Sequence, residues 1–243
     1  MPRLNEKVAV VTGASAGIGR AVVRALAREG AKLVITARRK DRLEQLVAEA
    51  TKLGAEAVYF AGDAREEETA KQTVTAALKA FGRIDILINN AGMGIYKNLA
   101  ETSAEDFDTM MDSNMRSTFL FARHVVPVLI AQKSGLVLMV SSIAGIYGFA
   151  GEAVYSATKF AQVGFAQGLD KELRAYGIKV GTICPGGVKT EFALGTGRTE
   201  QGVAESEMLE AEDVAEAVLF ACTQPLKSRI IQIQMRPMIE PLT

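Results

Sequence analysis

Seven short apolar runs, each separated from the next by a longer stretch of helical periodicity, leave this chain few folds to adopt. The runs cover 7–11, 32–36, 55–60, 84–88, 136–140, 178–183 and 230–233, and the helical stretches 17–29, 41–53, 66–81, 104–131, 154–176 and 212–223. The runs are continuously apolar, where a half-exposed strand would alternate, so each strand needs cover on both faces. Strands that alternate with helices in this way build βαβ units, a parallel sheet with helices on either side. No Pro/Ser-rich linker and no repeat divides the sequence, so residues 1–243 read as a single α/β domain, doubly wound about a central parallel sheet.

Composition closes off other classes. Lys+Arg and Asp+Glu are both 28, so net charge is zero and a basic nucleic-acid surface is not expected. One histidine, His124, and two cysteines, Cys184 and Cys222, cannot assemble a zinc cluster, and no metal site is expected. The same scarcity of cysteine calls for no disulfide framework and suggests a reducing, cytoplasmic setting. Residues 134–151 carry no charge, but four glycines and three serines interrupt them. Only 136–140 is continuously apolar, so a strand and loop is expected there and no membrane span.

The first run leads directly into Thr12-Gly13-Ala14-Ser15-Ala16-Gly17-Ile18-Gly19, and a helix follows. Glycines in such a βα turn allow a tight bend and let backbone N–H groups approach a pyrophosphate at the positive end of the helix. The spacing is Gly-x-x-x-Gly-x-Gly; its place between strand and helix marks a Rossmann-type dinucleotide site. About 20 residues further on, such folds present an acid to the adenosine ribose when the cofactor is NAD. Here the second strand ends Thr36-Ala37-Arg38-Arg39. Guanidinium groups would pair with the 2′-phosphate of NADP, which a carboxylate would repel.

A third constellation is Ser142, Tyr155 and Lys159. Tyr155 and Lys159 are four residues apart, so a helix places them on one face, and Ser142 follows the fifth run. An ammonium group near a phenol favours phenolate, which predicts a lowered Tyr155 pKa and a proton donor competent near neutral pH.

Together these pieces make the chain resemble, over about its whole length, the classical short-chain dehydrogenase/reductase family. The resemblance rests on Thr12-Gly13-(x)3-Gly17-x-Gly19, Asn89-Asn90-Ala91-Gly92, Asn114, Ser142, Tyr155-(x)3-Lys159 and Pro185-Gly186, in the family's order and spacing. It implies that Tyr155 is the general acid and base and that Ser142 hydrogen bonds to the substrate oxygen. Lys159 would tune Tyr155 and bind the nicotinamide ribose. Asn114, expected on the long helix at 104–131, would hold a water linking Lys159 to solvent. Cofactor contacts would come from Gly13, Ser15, Gly17, Ile18, Gly19, Arg38 and Arg39, with Asp63 at the adenine. Asn90, Ala91 and Gly92 would support the cofactor, and Pro185, Gly186, Val188 and Thr190 would meet the nicotinamide amide.

The carboxy-terminal sequence from Ile230 to Thr243 is more similar to the branch of 3-hydroxy acid dehydrogenases and small carbonyl reductases than to acyl-carrier reductases. The expected activity is NADP-dependent hydride exchange with a small carbonyl or secondary alcohol. A 3-oxoacyl-carrier reductase is the alternative within enzymes, and a non-catalytic NADP sensor the alternative outside them. Residues 191–211 break the βα rhythm and read as a substrate lid. Tyr147, Phe149 and Phe192, with Met93 and Gly94 opposite, are candidate pocket walls, and Arg198 a candidate partner for a substrate carboxylate. The apolar stretches 119–121 and 160–165 exceed what one sheet face needs, and the resemblance implies that their helices pair in a homodimer or homotetramer.

Overall fold

A computed structural model describes residues 2–240; Met1 and the last three residues of the carboxy-terminal ending lie outside the described residues. The strands are β1 (Val8–Thr12), β2 (Lys32–Ala37), β3 (Ala57–Ala61), β4 (Ile86–Asn89), β5 (Gly135–Val140), β6 (Ile178–Pro185) and β7 (Gln232–Met235). They form one parallel sheet in the order β3-β2-β1-β4-β5-β6-β7. The helices are α1 (Gly17–Arg28), α2 (Lys40–Lys52), α3 (Glu67–Phe81), α4 (Ala104–Met111), α5 (Ser117–Gln132), α6 (Ala153–Leu173), α7 (Glu200–Ala204) and α8 (Ala211–Cys222).

The pleat explains the continuous apolar runs. Along β1, Ala9 and Val11 join a core with Val22, Leu26, Leu43, Leu46 and Val214 from α1, α2 and α8. Val8 and Val10 point the other way, into a core with Val74, Phe121, Val125, Leu129 and Leu169 from α3, α5 and α6. Each fully buried Val or Leu stabilises the fold by about 1.5–3 kcal/mol, so the strands cannot be exposed on either side. Strand order reverses direction between β1 and β4. In an open parallel sheet the crevice at that switch point, beyond the carboxyl ends of the strands, is where ligands bind.

Most expected boundaries move by one or two residues. One difference goes beyond a boundary shift. The expected helix 104–131 is α4 and α5 joined by a π turn, Asp112–Arg116. The apolar period runs through both pieces, so periodicity does not register the extra residue. What holds the wide turn is Asn114, which lies in it and whose side chain bonds Met93 N at 2.7 Å and Met93 O at 2.9 Å. The last strand begins at Gln232, because regular pairing starts at Thr182 opposite Gln232. Ile230 and Ile231 only lead in, and the strand continues past the apolar run because an edge strand tolerates a polar residue such as Gln234. Segment 191–211 contains one short helix, α7, and two isolated bridges, Val188 with Leu209 and Leu194 with Arg198. Among the described residues no helix is long and apolar enough to cross a membrane.

Candidate active site

The carboxyl end of β1 is fastened to that of β4. The Thr12 hydroxyl accepts from Asn90 N at 3.0 Å and Ala91 N at 2.9 Å, while Asn90 Nδ2 donates to Thr12 O at 2.9 Å. Between these anchors the glycine loop passes too close for side chains. A Cβ on Gly13, at φ +65°, would meet Ala91 Cα at 2.8 Å, and one on Gly17, at φ +49°, would meet Thr190 Cγ2 at 2.9 Å. The backbone is thereby stripped of side chains where it faces the crevice, a cradle suited to a pyrophosphate.

That crevice is an open cleft of about 970 Å³. The sequence-predicted residues Gly13, Ser15, Gly17, Ile18, Arg38, Arg39, Asp63, Asn90, Ala91 and Gly92 line one side of it. Ser142, Tyr155, Lys159, Pro185, Gly186, Val188 and Thr190 line the rest. Gly19 and Asn114 do not line it: Gly19 packs beneath the loop against Gly13 O, and Asn114 is buried behind Gly92. At the outer end Arg39 bonds Ser15 Oγ and pairs with Glu191 at 2.7 Å, while the Arg38 side chain is exposed. Asp63 is held by Arg65 at 2.7 Å, and that guanidinium keeps its carboxyl below the usual range.

At the inner end α6 carries Tyr155 and Lys159, both buried, with Lys159 Nζ 5.8 Å from the Tyr155 ring centre. Ser142, at the end of β5, accepts from Ala144 N at 3.1 Å. Tyr96 and Phe192 pack on Tyr155 at 5.5 and 5.7 Å between ring centres. This enclosure reverses the expected titration. Burial drives the Tyr155 phenol above its ordinary range, helped by Tyr96 and Glu152; a hydrogen bond with Ser142 and the Arg198 charge act in the opposite direction. Burial also pulls the Lys159 ammonium down to about 8. Spacing brought Lys159 near the phenol but carried no information about the desolvation of both groups.

Beyond Tyr155 the cleft is walled by Met93, Tyr96, Phe149, Phe192 and Met208. Tyr147 is not among the cleft-lining residues; it is half exposed beneath Arg236. Gly94 gives its carbonyl to Thr196, and its bare Cα leaves room for Phe192. Arg198 lies over the rings of Tyr96 and Phe192 at 5.7 and 6.0 Å and donates to Val188 O. Tyr96, Glu152 and Glu240 also line the cleft, and no motif in the sequence pointed to them. Burial raises the Glu152 carboxyl pKa, opposed by Arg198. Glu240 accepts from Gly187 N at 2.8 Å, which brings the carboxy-terminal segment to the rim.

The family profile described as short chain dehydrogenase matches residues 7–201. An uncharacterised oxidoreductase of Staphylococcus epidermidis is 35% identical over 237 residues, 98% of this chain and 100% of the relative. The structure of an alcohol dehydrogenase from the archaeon Thermococcus sibiricus, complexed with 5-hydroxy-NADP, superposes with a TM-score of 0.89 at 29% identity, covering 98% of this chain and 99% of that one. A metagenomic short-chain oxidoreductase in complex with NADP superposes with a TM-score of 0.84 at 32% identity, covering 98% and 100%. With its parallel seven-stranded sheet, its glycine cradle and a family match over most of its length, this chain belongs to the short-chain dehydrogenase family of oxidoreductases.

Proposed function

We propose that the protein is an NADP-dependent oxidoreductase that exchanges a hydride with a small carbonyl compound or secondary alcohol, with Tyr155 as the acid and base. The observation that carries this reading is the layout of one cleft. It runs from Arg38, Arg39 and Ser15, past bare glycine backbone, to the Ser142, Tyr155 and Lys159 cluster. The Gly13 and Gly17 cradle, which a Cβ would fill, suits a dinucleotide. When bound, NADP supplies or receives the hydride.

The chain's own residues do the rest. Arg39 and Ser15, with Arg38 beside them, offer donors to a 2′-phosphate, and the Asn90 to Gly92 segment shapes the floor. Ser142 and Tyr155 offer hydroxyls to one substrate oxygen. In reduction Tyr155 gives its proton to that oxygen as negative charge develops there, and Lys159 stabilises the phenolate left behind. A phenol whose neutral form is favoured by burial is loaded with the proton it must donate, and a neighbouring cation is what makes the donation reversible. Segment 191–211 brings Phe192 and Arg198 over this site as a lid that limits water, and residues 1–243 act as one domain.

The test is Tyr155→Phe, assayed with NADPH against a panel of aldehydes, ketones and 3-oxo esters. Turnover should fall by orders of magnitude with NADPH binding little changed. Retention of more than about a tenth of the wild-type rate removes Tyr155 from the mechanism.

A further inference from the structure

Lys159 is held from behind by a residue that no motif named. Gln162 lies on α6 three residues beyond Lys159 and is completely buried. Its Oε1 accepts from Lys159 Nζ at 3.0 Å; its Nε2 donates to Asn114 O at 3.0 Å and to Thr118 Oγ1 at 2.8 Å. We propose that Gln162 is a positioning residue for the reaction, an amide strut that spans from the π turn to the Lys159 ammonium and aims it at the cleft. The proposal rests on the reading of Tyr155 and Lys159 as the reacting pair.

The hydrogen-bond inventory fixes which way the amide faces. Asn114 O can only accept, so the group facing it must be the NH2. Thr118 Oγ1 spends its own proton on Asn114 O at 2.7 Å and therefore accepts from the same NH2. The amide oxygen is left pointing at Lys159, which as an ammonium can only donate. A flipped amide would set oxygen against oxygen on one side and N–H against N–H on the other.

The strut also decides where the charge goes. An ammonium group has three donors. One is taken by Val140 O at 3.1 Å and one by Gln162 Oε1, so the third is directed toward the cleft, on the side where the Tyr155 ring lies. The resemblance implies a water held by Asn114 that links Lys159 to solvent; Gln162 is a separate, direct link from Lys159 to the Asn114 carbonyl. Unlike water, an amide does not take up and release protons at accessible pH, so this link holds the ammonium and does not relay from it. The titratable groups facing Lys159 are Tyr155 on its own helix and Cys184 on β6. β5 offers the Val140 carbonyl, and the π turn and α5 act on it through Gln162 with the neutral Asn114 and Thr118. Around Tyr155 stand Tyr96, Glu152 and Arg198. With so few charges at hand, the neutral acceptors Val140 O and Gln162 Oε1 keep the buried amine protonated.

The experiment measures the Lys159 pKa directly, by the pH dependence of its 13Cε chemical shift in the intact ligand-free protein. Wild type is compared with Gln162→Met and Gln162→Glu. Gln162→Met removes the acceptor with little change in volume and should lower the pKa by about one unit. Gln162→Glu keeps an oxygen facing Lys159 and should bring the pKa back to the wild-type value or above. The alkaline limb of kcat/KM should move with the same sign in each variant. A purely structural Gln162 would lower the melting temperature and leave the pKa in place. An unchanged pKa in Gln162→Met, or a Gln162→Glu pKa that falls with it, overturns the proposal. Should the buried carboxylate prevent folding, Gln162→Met alone decides. If Tyr155→Phe keeps its activity while the shifts appear, the catalytic reading fails and the strut stands.

Discussion

Arg39 grips the Ser15 hydroxyl with two guanidinium nitrogens, Nε at 3.2 Å and Nη2 at 3.1 Å, and so ties the end of β2 to the glycine loop after β1. Arg38, its neighbour, points into solvent at the rim of the same cleft. A guanidinium already oriented by a loop hydroxyl loses less freedom when an anion arrives, so Arg39 is expected to be the stronger phosphate contact. Arg39→Ala should lower kcat/KM for NADPH about ten- to hundredfold, the worth of one charge-assisted hydrogen bond, and leave NADH nearly unmoved. Steady-state kinetics with both cofactors check it. A wild-type preference for NADH, or an unmoved NADPH/NADH ratio in Arg39→Ala, would defeat the NADP assignment.

Glu191, the first residue of the 191–211 segment, holds Arg39 at 2.7 Å and Arg42 at 2.6 Å. A carboxylate in that place competes with a 2′-phosphate for the same guanidinium. Glu191→Gln should therefore tighten NADPH binding severalfold and leave NADH binding unchanged, as read by the change in reduced-nicotinamide fluorescence on titration with protein. The pair is half exposed and screened, so the gain should shrink as salt rises.

Assembly can be tested at exposed aromatic side chains. Phe107 on α4, Phe119 on α5 and Phe160 on α6 are each exposed by more than two-fifths. If the protein pairs through these helices, Phe119→Glu combined with Phe160→Glu should raise the dissociation constant at least about tenfold, since each buried Phe is worth about 1.5–3 kcal/mol. Light scattering at micromolar concentration reads the outcome. A wild-type monomer there rules out the expected oligomer.

What the sequence made legible follows from what short-range patterns encode. Continuous apolar runs carried the sheet, because a strand buried on both faces has no polar side to show. Gly13 and Gly17 carried the cradle, because both adopt positive φ where a Cβ would collide. The residues that escaped reach the site from a distance in sequence. Tyr96 lies in the loop after β4 and Glu240 in the carboxy-terminal segment, and only folding places them beside Tyr155 and Gly187. Gln162 had a local signal, its three-residue spacing from Lys159 on one helical face, but a glutamine in an apolar stretch signals nothing until its partners are known. The π turn was hidden because hydropathy does not count residues per turn. The Tyr155 titration ran opposite to expectation because burial is a property of the whole fold.

Lys159 offers a prediction in which pH separates two effects. Its side chain is buried, and its pKa falls from an ordinary 10.5 to about 8 because the charged form is desolvated. Between those values the unfolded chain binds more protons than the folded one, so stability rises with pH across that window. Below about pH 8 both states hold the proton, and the folded state carries the full cost of a buried charge, about 3 kcal/mol from a shift of that size. Lys159→Met removes the charge at every pH. It also strands the acceptors Val140 O and Gln162 Oε1, a penalty of about 1–3 kcal/mol that does not change with pH. The stability of Lys159→Met relative to wild type should therefore be highest and constant below pH 8. It should then fall steadily as pH rises toward 10.5, because wild type is gaining stability there. Urea denaturation of both proteins from pH 6.5 to 10.5 measures the difference. A difference that stays flat across that range would mean that the Lys159 pKa is not depressed.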